Sequence, residues 1–272
     1  MSPSVAQPRD AKPIVYSLSV PATGVRPAYR ANAWVLRFRS DYLAEMFALG
    51  NRIGATSALK SARNLSELVR ANRGSLVFNG GFSEDYSTQA AGLLIVSRRV
   101  LNPISLKRAS NGEYALSGIL CQSSTNKLTV LRTADFAERA QSILSLCRSS
   151  LQAGPLVVEN GLNGVGFGEL ASREPQLRTI VGVDGDGRTL LIVFTTPVHL
   201  HAAGAFLSAA KGSAGATTVV LRDTGGSLAA SHGLGVVSAL NLDGSTNSCV
   251  IFAGLVIAGT ASRSMPSAIV VR

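Results

Sequence analysis

The run LRTIVGVDGDGRTLLIVFTT, Leu177–Thr196, constrains the fold more than any other part of the chain. Two β-rich arms flank Asp184-Gly185-Asp186-Gly187. Asp-Gly favours tight primed turns, so the run predicts an antiparallel hairpin. Further strands follow from the same pattern. In AWVLRFR, Trp34, Leu36 and Phe38 face one way and Val35, Arg37 and Arg39 the other, which is a half-buried strand. SLVFNGGF (75–82), AGLLIVS, LNPISL, PLVVENG, TTVVLRD, ALNLDG, LVIAG and SAIVV read as strands or strand ends. EYALSGILC pairs with KLTVLRT across the polar turn QSSTN.

Helices fill fewer gaps. Asp41 caps YLAEMFALG, which stops near Gly50. Asn64 or Ser66 caps LSELVRA, with Leu65, Leu68 and Val69 on one side. Asp135 opens the clearest helix, carrying Phe136, Ile143, Leu144, Cys147 and Leu151 and ending before Gly154-Pro155. AAGAFLSAAKG is a weak fourth. The 272 residues, 46% hydrophobic and 15% charged, are ample for a core and exclude global disorder. The expected fold class is α+β: mixed, largely antiparallel sheets with three or four helices in one compact domain, 14–272, behind a flexible polar arm, 1–13.

The net charge is +10, and the excess is concentrated in residues 1–110, which hold 15 basic and 6 acidic side chains. Such a field attracts anions such as acidic glycans, nucleic acid or an anionic membrane, and it equally serves as a solvated surface. Aromatic residues are only 6%, which leaves few platforms for stacking bases, and no nucleic-acid motif occurs. Nucleic acid is therefore a poor candidate partner. No stretch approaches the roughly 18 apolar residues of a membrane span. The start lacks a signal-peptide pattern, so a cytoplasmic location is the default expectation. Cys121, Cys147 and Cys249 with His199, His201 and His232 show no zinc spacing. Each cysteine is read first as a small buried apolar residue, with one bridge and one thiol as the alternative.

Four stretches share one design, an apolar strand that ends in polar residues with glycine: VFNGGF, GPLVVENG, LRTIVG and ALNLDG. Strand ends hold side chains rigidly, and glycine lets a ligand approach the backbone. Asp243 is an acid, a base, a metal ligand or a turn former. Asn241 is able to bond sugar hydroxyls or to satisfy a loop. Arg178 offers a planar fork for phosphate or carboxylate. Asn79, Gly80 and Gly81 present N–H groups to an anion or make a plain turn. Glu84, Asp85 and Glu159 supply candidate second carboxylates, since glycosyl transfer commonly uses two. GVGFG, 164–168, is not a dinucleotide fingerprint, because no strand–turn–helix surrounds it. No cofactor is expected, and a divalent cation on oxygen ligands near Asp243 stays open.

Taken together, these motifs resemble the phosphodiester glycosidase family. The matching residues are Asn79-Gly80-Gly81-Phe82, Gly154-Pro155-Leu156-Val157 with Gly161, Arg178-Thr179-Ile180-Val181-Gly182, Asn241-Leu242-Asp243-Gly244-Ser245, and Arg263 with Pro266–Val270. They fall in the family order from about residue 75 to the end. Ser83 replaces the second phenylalanine of the family's first motif. LDGSTNS replaces its glycine-rich turn, which leaves Ser245, Thr246 and Asn247 to meet an anion. The resemblance implies a hydrolase of carbohydrate metabolism that cleaves the glycosidic bond of a sugar-1-phosphodiester, with a phosphorylated sugar or anionic glycan as substrate. By the same resemblance, Asp243, Arg178 and one of Glu159, Asp85 and Glu84 are catalytic. Asn79, Gly80, Gly81, Asn241, Gly244, Ser245 and Arg263 bind substrate. Family members in bacteria are associated with exopolysaccharide. Two alternatives are non-catalytic binding of acidic glycans and a basic protein of nucleic-acid or membrane surfaces.

Overall fold

The structure, a computed structural model, describes residues 12–23, 26–38, 44–48, 68, 76–84, 89–110, 115–137, 140–165, 174–213, 215–224, 227–259 and 265–271. Strands dominate it and form three sheets. The first has the order β11-β10-β16-β12-β13-β2-β1-β14-β15. Its members are β1 (Ile14–Val20), β2 (Tyr29–Phe38), β10 (Leu156–Glu159), β11 (Leu162–Asn163), β12 (Gln176–Asp184), β13 (Thr189–Val198), β14 (Thr218–Asp223), β15 (Leu228–Ala230) and β16 (Val236–Asn241). The second, β18-β17-β4-β19-β3, comprises β3 (Ala44–Ala48), β4 (Leu76–Asn79), β17 (Val250–Phe252), β18 (Leu255–Ala258) and β19 (Ser267–Val271). The third, β6-β5-β9-β7-β8, comprises β5 (Leu94–Val96), β6 (Arg99–Asn102), β7 (Gly118–Gln122), β8 (Leu128–Arg132) and β9 (Ser149–Ala153). Among the named pairs only β1 and β14 run parallel.

The β12–β13 hairpin forms as expected, but its turn is not a primed one. Gly187 N–H donates to Asp184 O, and only Gly187 is left-handed, at φ +74°. That is a type I turn closed by a glycine bulge. Asp184 selects it, because its Oδ1 accepts from the N–H groups of Asp186 and Arg188, each at 3.0 Å.

Helices α1 (Thr133–Ala137), α2 (Ala140–Leu146) and α3 (Leu200–Ser208) are short, so the domain is mainly β rather than an even α+β mixture. α3 is buried from Leu200 to Leu207 and packs on strands near both edges of the first sheet, which curls around it. Its apolar, mostly small side chains permit burial on every side. The core on this face includes Leu18, Val158, Ile180, Ile192, Phe194 and Phe206. The opposite face packs Trp34, Leu36, Val181, Leu191 and Leu240 onto the second and third sheets through Phe78, Leu94, Leu120 and Ile269.

One expected helix is replaced by a strand and another is broken in two. The segment after Asp41 contains β3, which pairs with β19 across Ile269↔Met46. Sheet pairing there overrides the helical propensity of Ala, Glu and Met. The long helix from Asp135 breaks into α1 and α2, and Leu151 lies in β9 at the centre of the third sheet. Of the expected LSELVRA helix only Leu68, helical and buried, is described. Most of the polar arm, 1–11, lies outside the described residues. Cys121 and Cys147 form a disulfide, and Cys249 carries a buried thiol that burial pushes up to about 11. No helix among the described residues is long and apolar enough to cross a membrane.

Candidate active site

Parts of the four stretches meet near one corner: the Asn79 end of β4, the Gly154-Pro155 start of β10, the Arg178 end of β12 and the Asp243 end of β16, whereas Glu159–Gly161 and Gly182 lie away from it. β4 of the second sheet ends at Asn79, whose side chain is 1% exposed. Its Nδ2 donates to Asp243 O at 2.8 Å, and its Oδ1 accepts from Cys249 N–H at 3.1 Å. Asp243 N–H donates to Gly80 O at 3.1 Å. Gly80 N–H donates to Ser267 O at 2.9 Å, and Gly81 N–H to Ser267 Oγ at 3.0 Å. The NGG turn is therefore a joint between β4, β19 and the end of β16. A methyl at Gly81 would lie 2.8 Å from Gln152 O, so glycine is required there for close approach to β9. The anion-cradle reading of these two N–H groups is corrected, because Ser267 takes both.

The second corner is the step from β9 to β10. Gln152 is buried, and its side chain ties four segments together. Its Oε1 accepts from Leu93 N–H and Ser105 N–H, and its Nε2 donates to Ser105 O, Leu116 O and Thr133 Oγ1. The chain then turns at Gly154-Pro155, a cis peptide bond. There Asn241 N–H donates to Pro155 O at 3.1 Å and Asn241 Nδ2 to Gly154 O at 3.0 Å. Sequence reasoning missed Gln152 and Ser267, since neither stands in a glycine turn and their roles arise only from tertiary contact.

Arg178 and Asp243 meet across β12 and β16. Ile180 pairs with Asn241, and Leu242 N–H donates to Thr179 O at 2.9 Å. The ladder thus continues one residue past β16 and brings Asp243 level with Arg178. Residues opposite each other share a face. Arg178 also pairs with Phe194, so this is the face that carries α3. Arg178 and Asp243 are each 6% exposed. Burial lowers the Arg178 pKa to about 10, which leaves the guanidinium charged at neutral pH. A methyl on Gly244 would lie 3.0 Å from Leu177 O and 3.9 Å from Arg178 Nη1, so the bare backbone runs beside that guanidinium.

Beyond Gly244 the chain makes a 3-10 turn, Ser245–Asn247. Asp243 organises it: Oδ1 accepts from Gly244 N–H at 2.8 Å and Oδ2 from Asn247 Nδ2 at 2.7 Å. Ser245 holds φ +56°, a left-handed conformation that glycine adopts at lower cost.

The carboxylate candidates are not gathered together. Glu159 closes the far end of β10 and pairs with Arg132 at 3.0 Å. Val158 already sits opposite Ala239, so Glu159 lies beyond it and away from Asp243. Glu84 is exposed, and its N–H donates to Gln89 O. Asp85 and Arg263 lie outside the described residues. No group of three or more His, Cys, Asp or Glu side chains suited to a metal ion occurs among the described residues.

The family profile described as phosphodiester glycosidase matches residues 72–272 and so takes in every one of these strand ends. The chain belongs to the phosphodiester glycosidase family. The catalytic domain of zebrafish N-acetylglucosamine-1-phosphodiester alpha-N-acetylglucosaminidase, auto-inhibited by its pro-peptide, is similar at 13% identity and TM-score 0.60, over 100% of this chain and 84% of that one. A hypothetical protein from Synechocystis is similar at 12% identity and TM-score 0.55, over 89% of this chain and 60% of that one. At such identities these likenesses show a shared fold. No curated protein matches the chain significantly. Asn79, Gly154-Pro155, Arg178 and Asp243, each from a different family motif, meet at one corner of the fold.

Proposed function

We propose that this phosphodiester glycosidase hydrolyses the glycosidic bond of a sugar-1-phosphodiester and releases the sugar and a phosphomonoester. The observation that carries the reading is the buried, charged Arg178 level with Asp243 at the family's own strand ends. Water adds to the anomeric carbon as the bond from that carbon to the phosphate oxygen breaks. The phosphate keeps the electron pair, and the water proton passes to a base. Phosphate bears its charge well, so protonation of the leaving group matters less than for an alkoxide. Arg178 holds the phosphate and stabilises its growing charge. Asp243 acts as base or as the partner of positive charge developing on the sugar. Gly244 leaves room beside the guanidinium, and Ser245 and Asn247 line the same turn.

One observation favours a second reading, the binding of anionic glycans without turnover. Both Asp243 oxygens already accept hydrogen bonds within the turn, and Glu159 is paired elsewhere. We also propose that the protein matures in an oxidising compartment rather than the cytoplasm, on the strength of the buried Cys121–Cys147 bond.

The test is release of free sugar from a panel of sugar-1-phosphodiesters, glucose and N-acetylglucosamine forms included, with D243N alongside. Hydrolysis by the wild type, lowered at least ~100-fold in D243N, is the expected result. Equal rates would remove Asp243 from the mechanism. Saturable binding with no release would establish the binding protein instead.

A further inference from the structure

The five strands of the third sheet and α2 contain no Asp or Glu, while the same layer and its turns carry Arg98, Arg99, Lys127, Arg132 and Arg148. Three of these cations stand side by side at one end of the sheet. Arg98 N–H, at the tip of the β5–β6 hairpin, donates to Arg148 O at 2.6 Å. Arg148 N–H, just before β9, donates to Gln122 O at 2.7 Å, and Ser123 N–H, just after β7, donates to Lys127 O at 3.0 Å. Neighbouring strands are about 4.8 Å apart, so the three backbones lie within about 15 Å of one another. Arg98, Lys127 and Arg148 are all exposed, and none of them forms an ion pair among the described residues. Ser97 and Arg98 are both left-handed, at φ +50° and +64°, in a two-residue hairpin turn whose favoured occupants are Asn and Gly. A strained turn that keeps a long cationic side chain points to a use for that side chain.

The face beside these cations is apolar and uncovered. Val100 lies opposite Ile95, which packs with Ile143 and Cys147, so Val100 is on the same side of the sheet as α2. Val100 is 50% exposed, Leu144 37% and Leu146 54%, and Leu146 closely precedes Arg148 in the chain. Cations bordering exposed aliphatic side chains suit an anionic lipid surface, whose phosphates attract the cations and whose acyl boundary takes the apolar groups. A hydrophilic polyanion would gain from the cations and nothing from the leucines. From Arg148 to Gly154 the chain runs about 20 Å in extended form, so docking by this end leaves the corner of Arg178 and Asp243 uncovered.

We propose that this end of the third sheet docks the protein on an anionic phospholipid membrane surface. Arg98, Lys127 and Arg148 meet the headgroups, and Val100, Leu144 and Leu146 enter the boundary beneath them.

The test is sedimentation of the full chain with vesicles of phosphatidylcholine alone and of phosphatidylcholine mixed with phosphatidylglycerol, at low and high salt. Binding to the mixed vesicles only, weakened by salt, is the expected result. R98A/K127A/R148A is expected to partition roughly 100-fold more weakly, at about fivefold per cation. L144S/L146S is expected to lose about tenfold. K12A/R30A/R222A removes the same charge from exposed positions in and beside the first sheet and should stay within about threefold of the wild type. Should the triple variant at the third sheet fail to melt cooperatively, R98Q, K127Q and R148Q taken singly decide, each about fivefold weaker. Equal binding to both vesicle types, or none to either, overturns the proposal. So does wild-type binding by R98A/K127A/R148A, or an equal loss in K12A/R30A/R222A, which would assign the attraction to net charge. An unchanged L144S/L146S, with soluble polyphosphate displacing the protein from vesicles, would assign these cations to a hydrophilic polyanion and also overturn it.

Discussion

Asn79 shows how one side chain can carry a junction. Both ends of its amide are buried and engaged, the nitrogen by Asp243 O and the oxygen by Cys249 N–H. This makes it a structural pin beneath Asp243 rather than a group turned toward a substrate. N79A leaves a carbonyl and an N–H unmet in the interior and is expected to cost about 2–3 kcal/mol, read from the denaturant midpoint. An unchanged midpoint would mean that the bridge contributes nothing. Residue types alone made Asn79, Asn241, Arg178 and Asp243 legible as a group, since amides, a guanidinium and a carboxylate stood at apolar strand ends beside glycine. Their division of labour was not legible. It depends on which carbonyl each amide meets, and Gly154 and Asp243 are far from their partners in the chain.

At the scale of elements, local pattern read the hairpins well and the central strand of the third sheet badly. β12 and β13 are apolar runs on either side of an Asp-Gly turn, so their pairing is local. β9, Ser-Ser-Leu-Gln-Ala, has no such signature, yet every residue in it is buried. Two of its three polar side chains are satisfied from other segments: Ser149 Oγ accepts from Ser97 N–H, and Gln152 bonds Leu93, Ser105, Leu116 and Thr133, whereas Ser150 Oγ has no hydrogen-bond partner among the described residues. Hydrophobic periodicity cannot register a strand buried through hydrogen bonds. α3 offers a test at this scale. His201, in its first turn, is 2% exposed and stacks with His199 at a centroid distance of 5.6 Å. Burial, with Arg26 and His199 adding to it, lowers its pKa from 6.5 to about 4. Between those values the unfolded chain binds a proton that the folded chain refuses. The stabilising effect of a neutral His201 is complete above pH 6.5 and is lost as pH falls toward 4. The melting midpoint should drop across that window, and H201Q should flatten the drop. A wild-type profile no steeper than that of H201Q would refute this role.

Among the described residues three sheets are brought to one corner, with separate small cores behind the second and third. The core behind the third sheet contains Leu93, Ile95, Ile119, Phe136 and Ile143 around the Cys121–Cys147 bond. α1 and α2 are too short to hold themselves in place, so the bond staples that layer to β7. Its reduction should cost about 3 kcal/mol, a fall of roughly 5–10 °C in Tm measured with and without reductant. A Tm unmoved by reductant would contradict the staple. The proposed hydrolysis at the corner of Arg178 and Asp243 turns on which bond of the sugar-1-phosphodiester breaks. The most direct measurement is hydrolysis in 18O-labelled water, with the label located by mass spectrometry. Label in the released sugar and none in the phosphomonoester is the predicted result, because water adds at the anomeric carbon. Label in the phosphate would mean attack at phosphorus and would contradict the account.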